Sequence, residues 1–242
     1  MTGLESTAQA LVPPGKGILA ADESHPTIAR RFAALGIENT GENRRLYRQM
    51  LFTTRGIPAF LSGVILFDET IRQRSDAGRP FPQLLAEQGI LPGIKVDKGA
   101  TRLAGAPGEL VTEGLDGLRD RLAEYTTLGA RFAKWRAVLT IGPGMPSPSC
   151  IEANAHALAR YGALCQEAGL VPIVEPEVLM DGDHSIERCF DVTEAALHAV
   201  FAALHRQRVL LEGLLLKPNM VVSGKDCPRQ AGVQDVAEAT LH

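Results

Sequence analysis

Six short apolar runs punctuate the chain, bounded by glycine or proline: GILAADES (17–24), SGVILFDET (62–70), PGIKVDKG (92–99), RFAKWRAVLTIG (131–142), VPIVEPEVL (171–179) and GLLLKPNMVV (213–222). Near-continuous apolar runs suit strands buried on both faces, as in a parallel sheet. Between them the period changes to a helical one. Ile28, Phe32 and Leu35 recur at i, i+4 and i+7, and Gly36 follows as a C-terminal cap. Leu115, Leu118, Leu122 and Tyr125 repeat the pattern and stop near Gly129. Ile151, Ala155, Leu158, Leu164 and Ala168 do so ahead of Gly169, and Ile186, Phe190, Leu197, Val200, Phe201 and Leu204 lie along 184–206. Strands alternating with helices predict right-handed βαβ units. PGMPSPS (143–149) reads as a loop into the helix after the fourth run.

An open doubly wound sheet and a closed (β/α)8 TIM barrel both fit that alternation, and charge separates them. Lys95 and Asp97 stand two apart, as do Lys134 and Arg136, and Glu175 and Glu177. Residues two apart on a strand share a face. A doubly wound sheet packs both faces against helices and has no place for such ladders. A barrel does, because its inward face opens into a polar cavity at the C-terminal mouth. The barrel is therefore the predicted α/β architecture, with about six of its eight strands present. Val233, Val236, Ala237, Thr240 and Leu241 begin a further amphipathic helix in which the sequence ends. The reading is one incomplete barrel domain over residues 1–242, a fragment of a longer protein.

Composition narrows the function without naming it. The chain is 45% hydrophobic, 22% charged and only 5% aromatic, so aliphatic side chains and alanine must build the core of a globular protein. A net charge of −3 gives no global field for nucleic acid or membrane, although a local phosphate site of a few cations remains open. Cys150, Cys165, Cys189 and Cys227 form no C-x-x-C pair and read as reduced thiols. Neither a signal peptide nor a run of 18 apolar residues is evident, so the cytoplasm is the expected compartment. The histidines lack metal-motif spacing, and PPGKG (13–17) lacks that of a P-loop, so neither metal nor cofactor is expected.

The strand runs also carry the candidate chemistry: Asp22, Lys95, Asp97, Lys134, Arg136, Glu175, Glu177 and Lys217. A structural salt-bridge network is the plain alternative for any one of them. Lys217 follows an apolar stretch that would desolvate its amine and precedes Pro218, which favours an extended backbone. A neutral amine with a second cation nearby, such as Lys134, can form an imine with a ketone. An ordinary lysine snorkelling at a strand end is the competing account. Imine chemistry needs acid–base partners, and Glu175 and Asp22 are carboxylates on separate strands. Lys95, Arg136 and Arg30–Arg31 could meet phosphates, as could hydroxyls in the Ser24–Thr27 turn. For Arg30–Arg31 and Arg44–Arg45 a solvated helix face remains the competing reading.

The blocks GKGILAADES, ENRRLYRQML, GVILFDET, GRPFPQ, GIKVDKG, FAKWRAVL, NAHALARY, VPIVEPEVLMDGDH and LEGLLLKPNMV occur in an order that resembles the class I fructose-bisphosphate aldolases, from about residue 11 to the end. The resemblance implies a metal-independent lyase that cleaves fructose 1,6-bisphosphate reversibly to dihydroxyacetone phosphate and glyceraldehyde 3-phosphate in glycolysis and gluconeogenesis. It implies Lys217 as the Schiff-base residue, Glu175 as its acid–base partner, Asp22 at C–C cleavage, and Lys134 and Glu177 in the catalytic set. It further implies Ser24, Thr27, Arg31, Arg44, Lys95 and Arg136 as substrate-binding residues. A phosphorylated sugar is then the partner, and a homo-oligomer is expected, a tetramer in full-length members. The family's loops that bind the other phosphate would lie beyond His242, which leads to an expectation of low activity. Two other readings stay open: a non-catalytic interaction module and another imine-forming barrel enzyme, such as a transaldolase-like one.

Overall fold

The computed structural model describes residues 3–242. In chain order the elements are α1 (Gly3–Leu11), β1 (Gly17–Ala21), α2 (His25–Ala33), α3 (Gly41–Phe52), β2 (Leu61–Leu66), α4 (Asp68–Ile71), α5 (Phe81–Ala86), β3 (Leu91–Lys95), β4 (Gly99–Arg102), β5 (Leu110–Glu113), α6 (Leu118–Thr127), β6 (Phe132–Leu139), α7 (Pro148–Glu167), β7 (Val171–Val178), α8 (Ile186–Arg206), β8 (Leu215–Leu216) and α9 (Val233–Leu241). Among the described residues the apolar runs form one parallel six-stranded sheet in the order β1-β2-β3-β6-β7-β8. The sheet is curled into a half-barrel, with β1 and β8 each paired on one side only.

Register sets which residues meet. Lys95 pairs with Lys134, Arg136 with Glu175, and Val138 with Glu177, so the charged ladders of adjacent strands share one face. One step towards the strand N-termini, the same face is apolar. Phe132, Ile65, Val171 and Ile173 pack there with Ala8 and Leu11 of α1. The Phe132 ring needs the space that glycine leaves. A Cβ on Gly93 would lie 2.3 Å from that ring, and one on Gly63 would lie 3.1 Å away. The half-barrel is therefore plugged with hydrocarbon at its base and lined with charge at its C-terminal mouth. On the outer face, α5, α6 and α7 bury Leu85, Leu122 and Leu158 against Val64, Ile94 and Trp135.

Three sequence expectations change. The sixth run was expected to be a strand over 213–222, but the ladder holds only Leu215 and Leu216; Pro218 has no N–H with which to extend it. Leu35 lies beyond α2 and is exposed. The antiparallel hairpin β4–β5 was not foreseen, because its strands are four residues each and half exposed, with only Thr112 buried. Helix α9 forms as expected, yet it buries none of its residues.

Candidate active site

Four charged side chains meet at the strand ends. Lys134, on β6, has only 5% of its surface exposed, with Asp22 just past β1 at 8% and Glu175 on β7 at 3%. The Lys134 Nζ donates to Asp22 Oδ2 at 3.1 Å. It also lies 3.0 Å from Glu175 Oε2, a close ion pair without hydrogen-bond alignment. The other Glu175 oxygen, Oε1, accepts from Lys217 Nζ. Asp22, Lys134, Glu175 and Lys217 thus form one chain of alternating charge across the mouth of the half-barrel. Burial alone would pull the Lys134 ammonium down, but Asp22 and Glu175 together hold it above the ordinary lysine value.

Lys217 faces this chain from a firm backbone, since its N–H donates to Val174 O at 2.9 Å. Its side chain is 48% exposed, which corrects the expectation of a desolvated amine. The reason is topological. The strand β8 is an edge among the described residues, so nothing covers the outer side of the lysine.

A second group lies alongside. Lys95 Nζ donates to Asp97 Oδ1 at 2.5 Å and to Asp97 O at 2.8 Å. Asp97 also accepts from the backbone N–H of Gly99 at 3.1 Å and of Arg136 at 3.3 Å. The Arg136 guanidinium donates to Glu177. Burial would lower it, and the Glu177 carboxylate holds it above its usual value. Ser24 precedes α2, with its hydroxyl 3.2 Å from that of Thr27. Arg31 pairs with Glu23.

A cleft of about 910 Å3 gathers Asp22, Ser24, Thr27, Arg31, Lys95, Lys134 and Arg136 in its wall. Glu175, Glu177 and Lys217 adjoin this cleft through Lys134 and Arg136 without being part of the wall. Arg44 stands apart. Its guanidinium holds Glu69 with two hydrogen bonds of 2.7 Å, and it does not line the cleft. A second cleft of about 970 Å3, between α8 and α9, contains none of the expected site residues. Among the described residues no cluster of three metal-ligating side chains occurs.

The sequence reading assigned Asp97 no role, although its spacing from Lys95 already marked a shared face. Glu23, in the cleft wall, and Arg48 behind it meet at 3.2 Å and were not among the candidates. The available signal was the helical spacing of Arg48 with Phe52, which places a charge on the buried face of α3.

The sequence model of class-I fructose-bisphosphate aldolase matches residues 3–242. A protein of Xanthomonas campestris pv. campestris named probable fructose-bisphosphate aldolase class 1 is 66% identical over 238 residues, which are 98% of this chain and 71% of that protein. Cytosolic fructose-bisphosphate aldolase 5 of Arabidopsis thaliana is 56% identical over 98% of this chain and 66% of its own. A crystal structure of the Plasmodium falciparum aldolase, in complex with TRAP and a small-molecule inhibitor, superposes with a TM-score of 0.97 at 53% identity, over 99% of this chain and 70% of that one.

Proposed function

The chain belongs to the class-I fructose-bisphosphate aldolase family, and from that premise we propose how its residues share the cleavage of a ketose bisphosphate. The observation that supports the reading is the contact of Lys217 Nζ with a buried carboxylate whose other oxygen meets a second buried cation. An attacking amine must give up its proton, and Glu175 is the base in reach. The free amine adds to the C2 ketone of fructose 1,6-bisphosphate. Glu175 then returns the proton to the departing hydroxyl, which leaves as water and yields an iminium on Lys217.

The iminium is an electron sink. Asp22 removes the proton of the C4 hydroxyl, the C3–C4 bond breaks, and its electron pair moves into the iminium to give an enamine. Glyceraldehyde 3-phosphate departs. Protonation at C3 and hydrolysis release dihydroxyacetone phosphate and restore Lys217. Lys134, between the two carboxylates, keeps both anions in place and spaces the two proton transfers. Glu177 orients Arg136. Lys95 and Arg136, with the hydroxyls of Ser24 and Thr27 and the guanidinium of Arg31, form the phosphate side of the cleft. Arg44 joins that set only if its pair with Glu69 opens. The cytoplasm is the proposed compartment, in line with relatives named cytosolic or cytoplasmic. A homo-oligomer is the proposed assembly.

Borohydride reduction in the presence of dihydroxyacetone phosphate tests the nucleophile. The expected product carries the adduct on the peptide containing Lys217, and K217M carries none. An adduct on another lysine would remove the reading.

A further inference from the structure

The ladder between β1 and β2 ends at Ala21 opposite Leu66, and residues 22–24 continue as irregular chain. Asp22 is therefore a working carboxylate carried on backbone that has just left its sheet. Arg48 reaches this backbone from α3. Its Nε donates to Ala21 O at 3.2 Å and its Nη2 to Glu23 O at 3.0 Å. These carbonyls belong to the residues on either side of Asp22, and one rigid fork holds both. Glu23 Oε2 lies 3.2 Å from Nη2 and supplies the counter-charge, while the other Glu23 oxygen takes Arg31 and, at 3.3 Å, the Tyr47 hydroxyl.

Packing alone does not explain this arginine. It is 1% exposed, and its Nη1 has no partner. An apolar side chain of similar size would fill the site without taking a charge out of water or leaving a donor unpaired. A lysine would keep the charge, yet a point charge cannot hold two carbonyls at fixed directions. What the fork adds is geometry: it replaces the lost ladder around residue 22.

We propose that Arg48 is a positioning residue that clamps the backbone on both sides of Asp22 and so holds its carboxylate on Lys134 in line with the bond to be broken. The inference rests on the reading of Asp22 as the proton acceptor at cleavage. It assigns Arg48 no part in forming the imine, which depends on Lys217 and Glu175 at the far end of the charged chain.

R48K and R48M, each alone and R48K also combined with D22N, test it in the intact enzyme. R48K is expected to melt near the parent temperature and to trap dihydroxyacetone phosphate at Lys217 to the parent extent. Its KM should stay within about threefold while kcat for cleavage falls about 100-fold, the size of loss that a displacement on the order of 1 Å produces. The double variant should be no slower than D22N alone, because both changes disable one unit. Unchanged kcat in R48K, imine trapping that falls in step with cleavage, or losses that multiply with D22N would each overturn the clamp. Failure of both R48K and R48M to fold would overturn it as well, by assigning Arg48 to stability alone. Normal cleavage by D22N is a separate result, which removes the reading of Asp22 itself.

Discussion

Lys134 shows how one ammonium can make two buried carboxylates tolerable. Removing it by K134M takes the ion-pair partner from Asp22 and leaves Glu175 paired with Lys217 alone, at 8% and 3% exposure. Breaking a buried pair in this way is expected to cost about 3–5 kcal/mol at pH 7. The raised pKa of Lys134 means that its contribution is complete below the unfolded value near 10.5 and is lost only as pH rises through the higher folded value. The deficit of K134M should therefore be steady through neutrality and into mild alkali. Urea titrations of both proteins between pH 6 and pH 9 would measure this, and a deficit that fades between those values would contradict it. Of this cluster, Lys134 and Glu175 were legible from strand parity, and Asp22 and Lys217 from the GILAADES and LLLKPN runs. The exposure of Lys217 was not, because local apolar neighbours do not reveal whether a strand has a partner on its outer side.

Longer-range ties hold the secondary elements around the cleft. The hairpin β4–β5, which follows Asp97, is fastened to α7. Glu109 accepts from the Ser147 N–H and hydroxyl at 2.5 and 2.6 Å, and Ser147 in turn caps α7 by accepting from Cys150 N–H at 3.2 Å. Asn154 bridges the same pair of elements, accepting from Thr112 N–H at 3.2 Å and donating to Leu110 O at 2.9 Å. N154A leaves the buried Thr112 N–H unpaired and is expected to cost about 1–3 kcal/mol. Hydrogen exchange should speed up at Thr112 with little change in β6; equal loosening of both would mean that the bond does not act locally. Arg44 and Glu69 tie α3 to α4 in a comparable way. The hydrogen bonds from Arg44 hold the Glu69 carboxyl below its ordinary value near 4.5. Its stabilisation is thus present above that value and lost as pH falls through the folded one. R44M should lose about 1 kcal/mol at pH 7, with the gap to the parent closing in acid. A gap independent of pH would show that Arg44 contributes through its carbon stem.

The six-stranded sheet of the described residues has two unpaired edges, at β1 and β8, while the apolar plug on its inner face is buried. Exposed strand edges recruit other strands. The 242-residue chain is therefore expected to self-associate through those edges as its concentration rises, as light scattering would record. A chain that stays monomeric as its concentration rises would contradict this. Edge exposure also bears on catalysis, because water reaches Lys217 from its open side. Trapping efficiency should rise if that side is covered.

Period and parity in the chain were enough to specify parallel strands, the helices α2, α6, α7, α8 and α9, and a charged inner face, because a buried strand needs a continuous apolar run and side chains two apart cannot avoid sharing a face. The family was legible too, through blocks such as GILAADES and LLLKPN that bring their spacing with them. Contacts between distant segments were not. That Lys134 stands between Asp22 and Glu175, 112 residues from the first of them, follows from strand order and register. The same holds for Arg44, drawn off to Glu69, and for Arg48, turned inward beneath Asp22. A charged side chain settles where its partners are, and folding brings those partners from elsewhere in the chain.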